Sequence, residues 1–205
     1  SVRKTHSDFI NKCSQIENHL NLNEQVDEHV LSFINSNYID TDEYSTLDII
    51  NAASFEVIHV NIASLDRHID DLRLLISDLC HKPDIIGISE HKIQCDTEPF
   101  NNICIPGYNE FKFTPINSTH GGVGFYIKDN TTFLERNDLN INSTSDYETK
   151  FIDIKFENKK TLIIRHPSSN ISITDFLSSH LEPLLTKISN ENKLCIVMGD
   201  FNINL

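Results

Sequence analysis

The chain has 205 residues, 39% of them hydrophobic and 23% charged, with a formal net charge of −13. That is enough apolar content for one sizeable core and too ordinary a composition for a disordered or fibrous protein. The acidic balance excludes a protein that holds nucleic acid by a broad basic surface, because such binding is mostly phosphate neutralisation by Lys and Arg.

Residues 1–54 carry nine Asp and Glu against Arg3, Lys4 and Lys12, a net −6. Phe9, Ile10, Cys13, Ile16 and Leu20 fall at helical spacing, as do Val26, Val30, Leu31, Phe33 and Ile34, which predicts two short amphipathic helices. No chemistry is legible in them. The segment reads as an acidic helical linker or upstream region, with a partner-binding arm as the alternative.

From Phe55 the texture changes to short apolar runs alternating with helical stretches. A strand is predicted over residues 55–62. A helix follows over 69–79, with Ile69, Leu72, Leu75, Ile76 and Leu79 on one face and Asp66 as N-cap, and Pro83 stops it before a strand over 84–90. Further strands are predicted at 122–127, 151–156, 161–164 and 194–198, and a second helix at 173–189. Strands and helices in this order indicate a layered α/β architecture, with residues 55–205 as one domain.

No apolar run reaches the about 18–20 residues of a membrane-spanning helix, and the N-terminus lacks the layout of a secretory signal. The expectation is an intracellular protein with no membrane partner. Cys13, Cys80, Cys95, Cys104 and Cys195 are odd in number, widely spread and free of any CxxC pair, so they read as reduced structural thiols. Ser1 rather than Met at the first position, and Leu205 just after a predicted strand end, read as a piece of something longer.

Asn61, Glu90, Asp200 and Asn202 each sit at or just after the C-terminal end of an apolar run, where a sheet can offer several side chains to one pocket. Hard cations such as Mg2+ take oxygen ligands, often one or two carboxylates with water and substrate phosphate completing the shell. Glu90 with an Asn or Asp partner is chemically sufficient for that. Asp200 and Asn202, two residues apart, can share one side of an extended segment, one orienting water and one holding phosphate. An isolated Asp-x-Asn is more often a turn, because both residues cap turns readily.

Four segments in order carry a resemblance: Val60-Asn61-Ile62-Ala63-Ser64-Leu65, Ile88-Ser89-Glu90-His91-Lys92, Gly121-Gly122-Val123-Gly124-Phe125-Tyr126-Ile127 and Met198-Gly199-Asp200-Phe201-Asn202. Together with Arg165-His166-Pro167-Ser168-Ser169-Asn170, they resemble the motifs of the non-LTR (LINE-type) retrotransposon branch of the endonuclease/exonuclease/phosphatase superfamily. The resemblance covers residues 55–205. It implies a four-layered, DNase I-like α/β sandwich that hydrolyses phosphodiesters with Mg2+, or Mn2+ in its place, and nicks target DNA.

By the same resemblance Glu90 and Asn61 belong to the metal and phosphate site, and Asp200 aligns and activates the attacking water. Asn202 hydrogen-bonds the scissile phosphate or that water, and Lys92 contacts phosphate. A downstream reverse transcriptase domain and a nuclear location, for action on chromosomal DNA, are implied with it.

Three departures from the family pattern are visible. The terminal Ser-Asp-His segment of the superfamily does not occur before Leu205, so the domain reads as incomplete at its C-terminus and lacking its last strands. None of His68, His91, His120 or His166 lies in the right motif to replace that histidine, and each reads as a surface or packing residue. Ile164 stands before Arg165 where the branch has a tyrosine, and the strand 161–164 looks several residues short. The alternatives are therefore a catalytically inactive, decayed or co-opted copy that acts at most as a binding scaffold, and a phosphatase or exonuclease of the same superfamily.

Overall fold

The computed structural model describes residues 55–94, 100–116, 121–139, 147–155, 160–167, 175, 177–191 and 195–200. The chain divides into two units, Tyr44–Ile203 and Ser1–Glu43 with Asn204–Leu205, and every described residue belongs to the first. The two helices expected before residue 55 lie outside the described residues, as does Asn202.

The first sheet has the order β1 (Val57–Asn61), β2 (Ile85–Ser89), β4 (Val123–Ile127), β3 (Lys112–Phe113). Strand β1 runs parallel to β2, and parallel neighbours need a crossover connection. That crossover is helix α1 (Leu65–Asp78), which buries Leu65, Ile69, Leu72 and Ile76. These pack on Ile86, Ile88 and Tyr126, the outer face of the sheet. Every residue of β2 and β4 is buried, as befits strands covered on both faces. Ser64, not Asp66, occupies the N-cap, and it makes no side-chain capping bond. Asp66 lies in the first turn instead, where a carboxylate offsets the positive helix end.

The second sheet has the order β5 (Phe133–Glu135), β6 (Tyr147–Ile154), β7 (Lys160–Pro167), β8 (Cys195–Gly199). Strands β7 and β8 are parallel, and the chain between them carries a π turn (Leu177–Leu181) leading into helix α2 (Glu182–Ser189). The sequence predicts one helix over 173–189. Pro183 explains the break: it lacks an N–H, so it fits only in the first turn of an α-helix, where the structure has it.

Three apolar layers separate the four structural ones. Between α1 and the first sheet lies the cluster already described. Between the sheets Ile85, Val123, Phe125 and Ile127 meet Ile152 and Ile154, flanked by Phe133, Ile196 and Met198. Between the second sheet and α2 lie Leu139, Phe151, Leu184 and Ile188, with Cys195 against them. Each large side chain so buried contributes about 1.5–3 kcal/mol. The expected layered α/β sandwich is borne out.

Strand β6 begins at Tyr147, four residues before the predicted start, because its first turns are polar. Glu148 and Lys150 share the inward face with Ile152 and Ile154, and buried Lys150 donates from Nζ to Glu135 Oε2 at 2.6 Å. Strand β7 has eight residues, paired with β6 from Lys160 opposite Ile154 to Pro167 opposite Tyr147, and so extends beyond the 161–164 read from the sequence. Its proline sits at the terminal pair, where a missing ladder donor costs least.

Arg136 fastens the second sheet to α2. Its guanidinium donates to Asp138 at 2.8 Å, to Glu191 at 2.6 and 2.9 Å and to Asp153 at 3.0 Å. Hydrogen bonds to Asp138 and then Glu191 hold it well above its ordinary value, and the Arg136 guanidinium holds exposed Asp138 down at about 2.

Candidate functional site

Three strands end side by side: β1 at Asn61, β2 at Ser89 and β8 at Gly199, followed by Asp200. Side chains alternate along a strand, so Asn61 shares the inner face of β1 with Val57, and Asp200 that of β8 with Met198. Asn61 and Asp200 therefore face each other across the sandwich, and Asn61 Nδ2 donates to Asp200 Oδ2 at 2.7 Å over 139 residues of sequence. Asn61 Oδ1 accepts the Ala63 N–H at 3.3 Å, which fixes which way the amide points.

Glu90 follows Ser89, whose Cα pairs with that of Asn61. Ala63, Glu90 and Lys92 all have left-handed backbones, with φ of 58°, 61° and 57°. Each such residue other than glycine costs on the order of 1–2 kcal/mol and persists where surrounding contacts over-determine it. Those contacts are present. The Ile62 N–H donates to Ser89 O at 3.0 Å and the Leu65 N–H to His91 O at 3.0 Å; the N–H of His91 reaches Gly122 O at 3.4 Å and that of Lys92 reaches Gly121 O at 3.0 Å. Lys92 Nζ lies 3.8 Å from Glu90 Oε2.

Of the residues singled out in the sequence, the structure thus joins Asn61 to Asp200, puts Glu90 one residue past the strand end that pairs with Asn61, and sets Lys92 against Glu90.

His91 is fully buried, edge-on to Phe111 and Phe113 at centroid distances of 5.7 and 5.2 Å. Its Nδ1 accepts the Ile93 N–H at 2.9 Å, which leaves Nε2 as the protonated nitrogen facing Thr114 O at 3.2 Å. Burial pushes the ring down to about 4, so it stays neutral. The expectation of a packing residue fits this environment.

Three polar residues escaped the sequence reading. His59 lies on the inner face of β1, two residues before Asn61; burial lowers its pKa and the charge of Asp200 pulls the other way. Its Nε2 and the Oγ of fully buried Ser89 have no hydrogen-bond partner among the described residues. Glu148, at the start of β6, accepts the N–H of Gly122. A polar residue in step with a predicted site residue along an apolar strand was the one available signal, and it holds for His59 alone.

The donor set fits a hard divalent cation. Asp200 brings a carboxylate to the amide of Asn61, and Glu90 offers a second carboxylate just after the strand end paired with Asn61; among the described residues no group of three or more His, Cys, Asp and Glu gathers as a closed cage. Magnesium commonly binds through one or two carboxylates and completes its shell with water and phosphate.

A family model described as "Endonuclease/Exonuclease/phosphatase family" matches residues 50–205. Similar solved structures include the AP endonuclease LMAP from Leishmania major, at 16% identity and a TM-score of 0.52 over 85% of this chain and 66% of that one. A 3'-5' exonuclease (NExo) from Neisseria meningitidis has 16% identity and a TM-score of 0.49 over 73% and 58%. The endonuclease domain of TRAS1, a telomere-specific non-LTR retrotransposon, has 15% identity and a TM-score of 0.48 over 74% and 61%. The chain thus spans 58–66% of the length of these structures. No curated protein matches it.

Proposed function

Because the chain belongs to the endonuclease/exonuclease/phosphatase family, we propose that it is part of a divalent-metal-dependent DNA endonuclease of the non-LTR retrotransposon type, which nicks chromosomal DNA. The observation that carries the reading is the 2.7 Å hydrogen bond between Asn61 and Asp200 at the mouth of two facing sheets, with Glu90 just past the end of the adjoining strand. A core gains nothing from a carboxylate there, whereas phosphodiester hydrolysis needs one. The retrotransposon branch rests on the four ordered motifs and the Arg165-His166-Pro167 segment.

Nucleases of the family generally use divalent metal ions, and such an ion, Mg2+ in this reading, supplies positive charge against the phosphoryl oxygens as they become more negative. Glu90, with Asn61 beside it, would hold it. Asp200 accepts a proton from the attacking water, and its bond to Asn61 Nδ2 fixes the orientation of the carboxylate. The second hydrogen of Asn61 Nδ2 is uncommitted among the described residues and suits a phosphate oxygen. Lys92 sets an ammonium beside Glu90, offsetting its charge and that of an incoming phosphate. Asn202 would donate to the scissile phosphate. Residues 55–205 form the catalytic domain in this reading, and a reverse transcriptase domain would follow it.

The test is nicking of supercoiled plasmid by the complete protein. The expected result is conversion to open circle in Mg2+ and none with chelator or with Glu90→Ala. Removal of 3' groups or nucleotides from DNA ends, without plasmid nicking, would move the protein to the phosphatase and exonuclease side of the family. No turnover by folded protein on any of these substrates would leave a binding scaffold.

A further inference from the structure

The loop that carries Glu90 is held from the opposite sheet. Gly121 and Gly122 precede β4 with φ of 89° and 94°, a conformation that disfavours any side chain. Each uses its peptide carbonyl on the Glu90 loop: Gly121 O accepts the Lys92 N–H and Gly122 O accepts the His91 N–H. On its other side the Gly122 N–H donates to the carboxylate of Glu148, the second residue of β6. A Cβ on Gly121 would come within 2.8 Å of Glu148 Oε2, and a Cβ on Gly122 would overlap the ring of His91. The two glycines are therefore a thin backbone plate between a carboxylate of one sheet and the Glu90 loop of the other.

We propose that Glu148 is a positioning residue for Glu90, acting through the peptide groups of Gly121 and Gly122 on the backbone of His91 and Lys92. The inference rests on the reading of Glu90 as a metal ligand. Two left-handed residues, Glu90 and Lys92, flank His91, so the direction of the Glu90 side chain depends on where the His91 and Lys92 peptides are pinned. The Glu148 carboxylate fixes the plate to which they are pinned, and a charged acceptor makes that bond stronger than a neutral one. Supporting groups of this kind commonly change metal affinity by about 10- to 100-fold when removed.

The experiment is a Mn2+ binding titration of the full 205-residue chain, following free Mn2+ by electron paramagnetic resonance with no DNA present. Glu148→Ala removes the acceptor, and Glu148→Asp keeps the charge but withdraws it by about one carbon–carbon bond, roughly 1.5 Å. Both are expected to weaken Mn2+ binding by about tenfold or more. Glu148→Gln, whose amide oxygen still accepts the Gly122 N–H, is expected to stay within about threefold of the parent chain, since a neutral acceptor replaces a charged one.

Wild-type affinity in both the Ala and Asp variants overturns the proposal. So does a Gln variant as weak as the Ala variant, because the effect is then one of charge and not of the hydrogen bond. Should the Ala variant not fold, the Asp and Gln pair decides. Glu90→Ala is measured alongside: if it binds Mn2+ as tightly as the parent chain, the assignment of Glu90 as ligand fails, and that result is distinct from a failure at Glu148.

Discussion

Asp200→Asn is expected to cut the nicking rate of the complete protein by about 10²- to 10⁴-fold, the range associated with losing a positioned proton acceptor. The substitution is isosteric, and an asparagine oxygen at this position still accepts from Asn61 Nδ2, so the bond that closes the two strand ends survives. Thermal stability is expected to change little, because Asp200 is partly exposed at a strand terminus and carries no core packing. Asn61→Ala breaks the same bond from the other side but leaves the carboxylate, so its rate loss should be the smaller of the two. A plasmid-nicking rate for Asp200→Asn within about threefold of the parent would remove Asp200 from the proton-transfer role.

Gly122→Ala is expected to have the largest effect on stability of any single methyl added to the described residues around the site. Its backbone at φ 94° disfavours a side chain, and the added carbon would overlap the imidazole of His91, itself fixed by Ile93, Thr114, Phe111 and Phe113. Backbone strain of about 1–3 kcal/mol and overpacking of about 1–3 kcal/mol make a loss of about 3 kcal/mol a reasonable figure. For a domain of this size that lowers the melting temperature by roughly 6–12 °C. Calorimetry on the purified chain reads it directly. A melting temperature within about 2 °C of the parent would mean that His91 can yield, and that it clamps nothing.

The layered fold was legible because β2 and β4 are apolar on both faces and α1 shows its stripe at Ile69, Leu72 and Ile76. What hid from the sequence is polar residues doing structural work. The start of β6 reads as a loop because Glu148, Thr149 and Lys150 look solvated, yet Thr149 and Lys150 are buried and Glu148 holds the Gly122 peptide. Asp66 resembles an N-cap, but the strained turn at Ala63 moves the helix start back to Leu65 and leaves Ser64 before it. Asn61, Glu90 and Asp200 stood out singly as polar residues at strand ends. Their mutual geometry did not, because the register Asn61↔Ser89 and the facing of two sheets are set by packing over long sequence separations. Asn202 shares their motif and lies outside the described residues.

In the proposed reading the loop ends of the two sheets form one metal-dependent phosphodiesterase site at Glu90, Asn61 and Asp200. Crystals grown or soaked with Mn2+ and measured at the manganese absorption edge test it most directly. The expected result is an anomalous peak at about 2.0–2.2 Å, as for a small octahedral dication, from a carboxylate oxygen of Glu90, on the side facing Asn61 and Asp200. A manganese peak held by other residues, with Glu90 turned away from the Asn61–Asp200 pair, would contradict it.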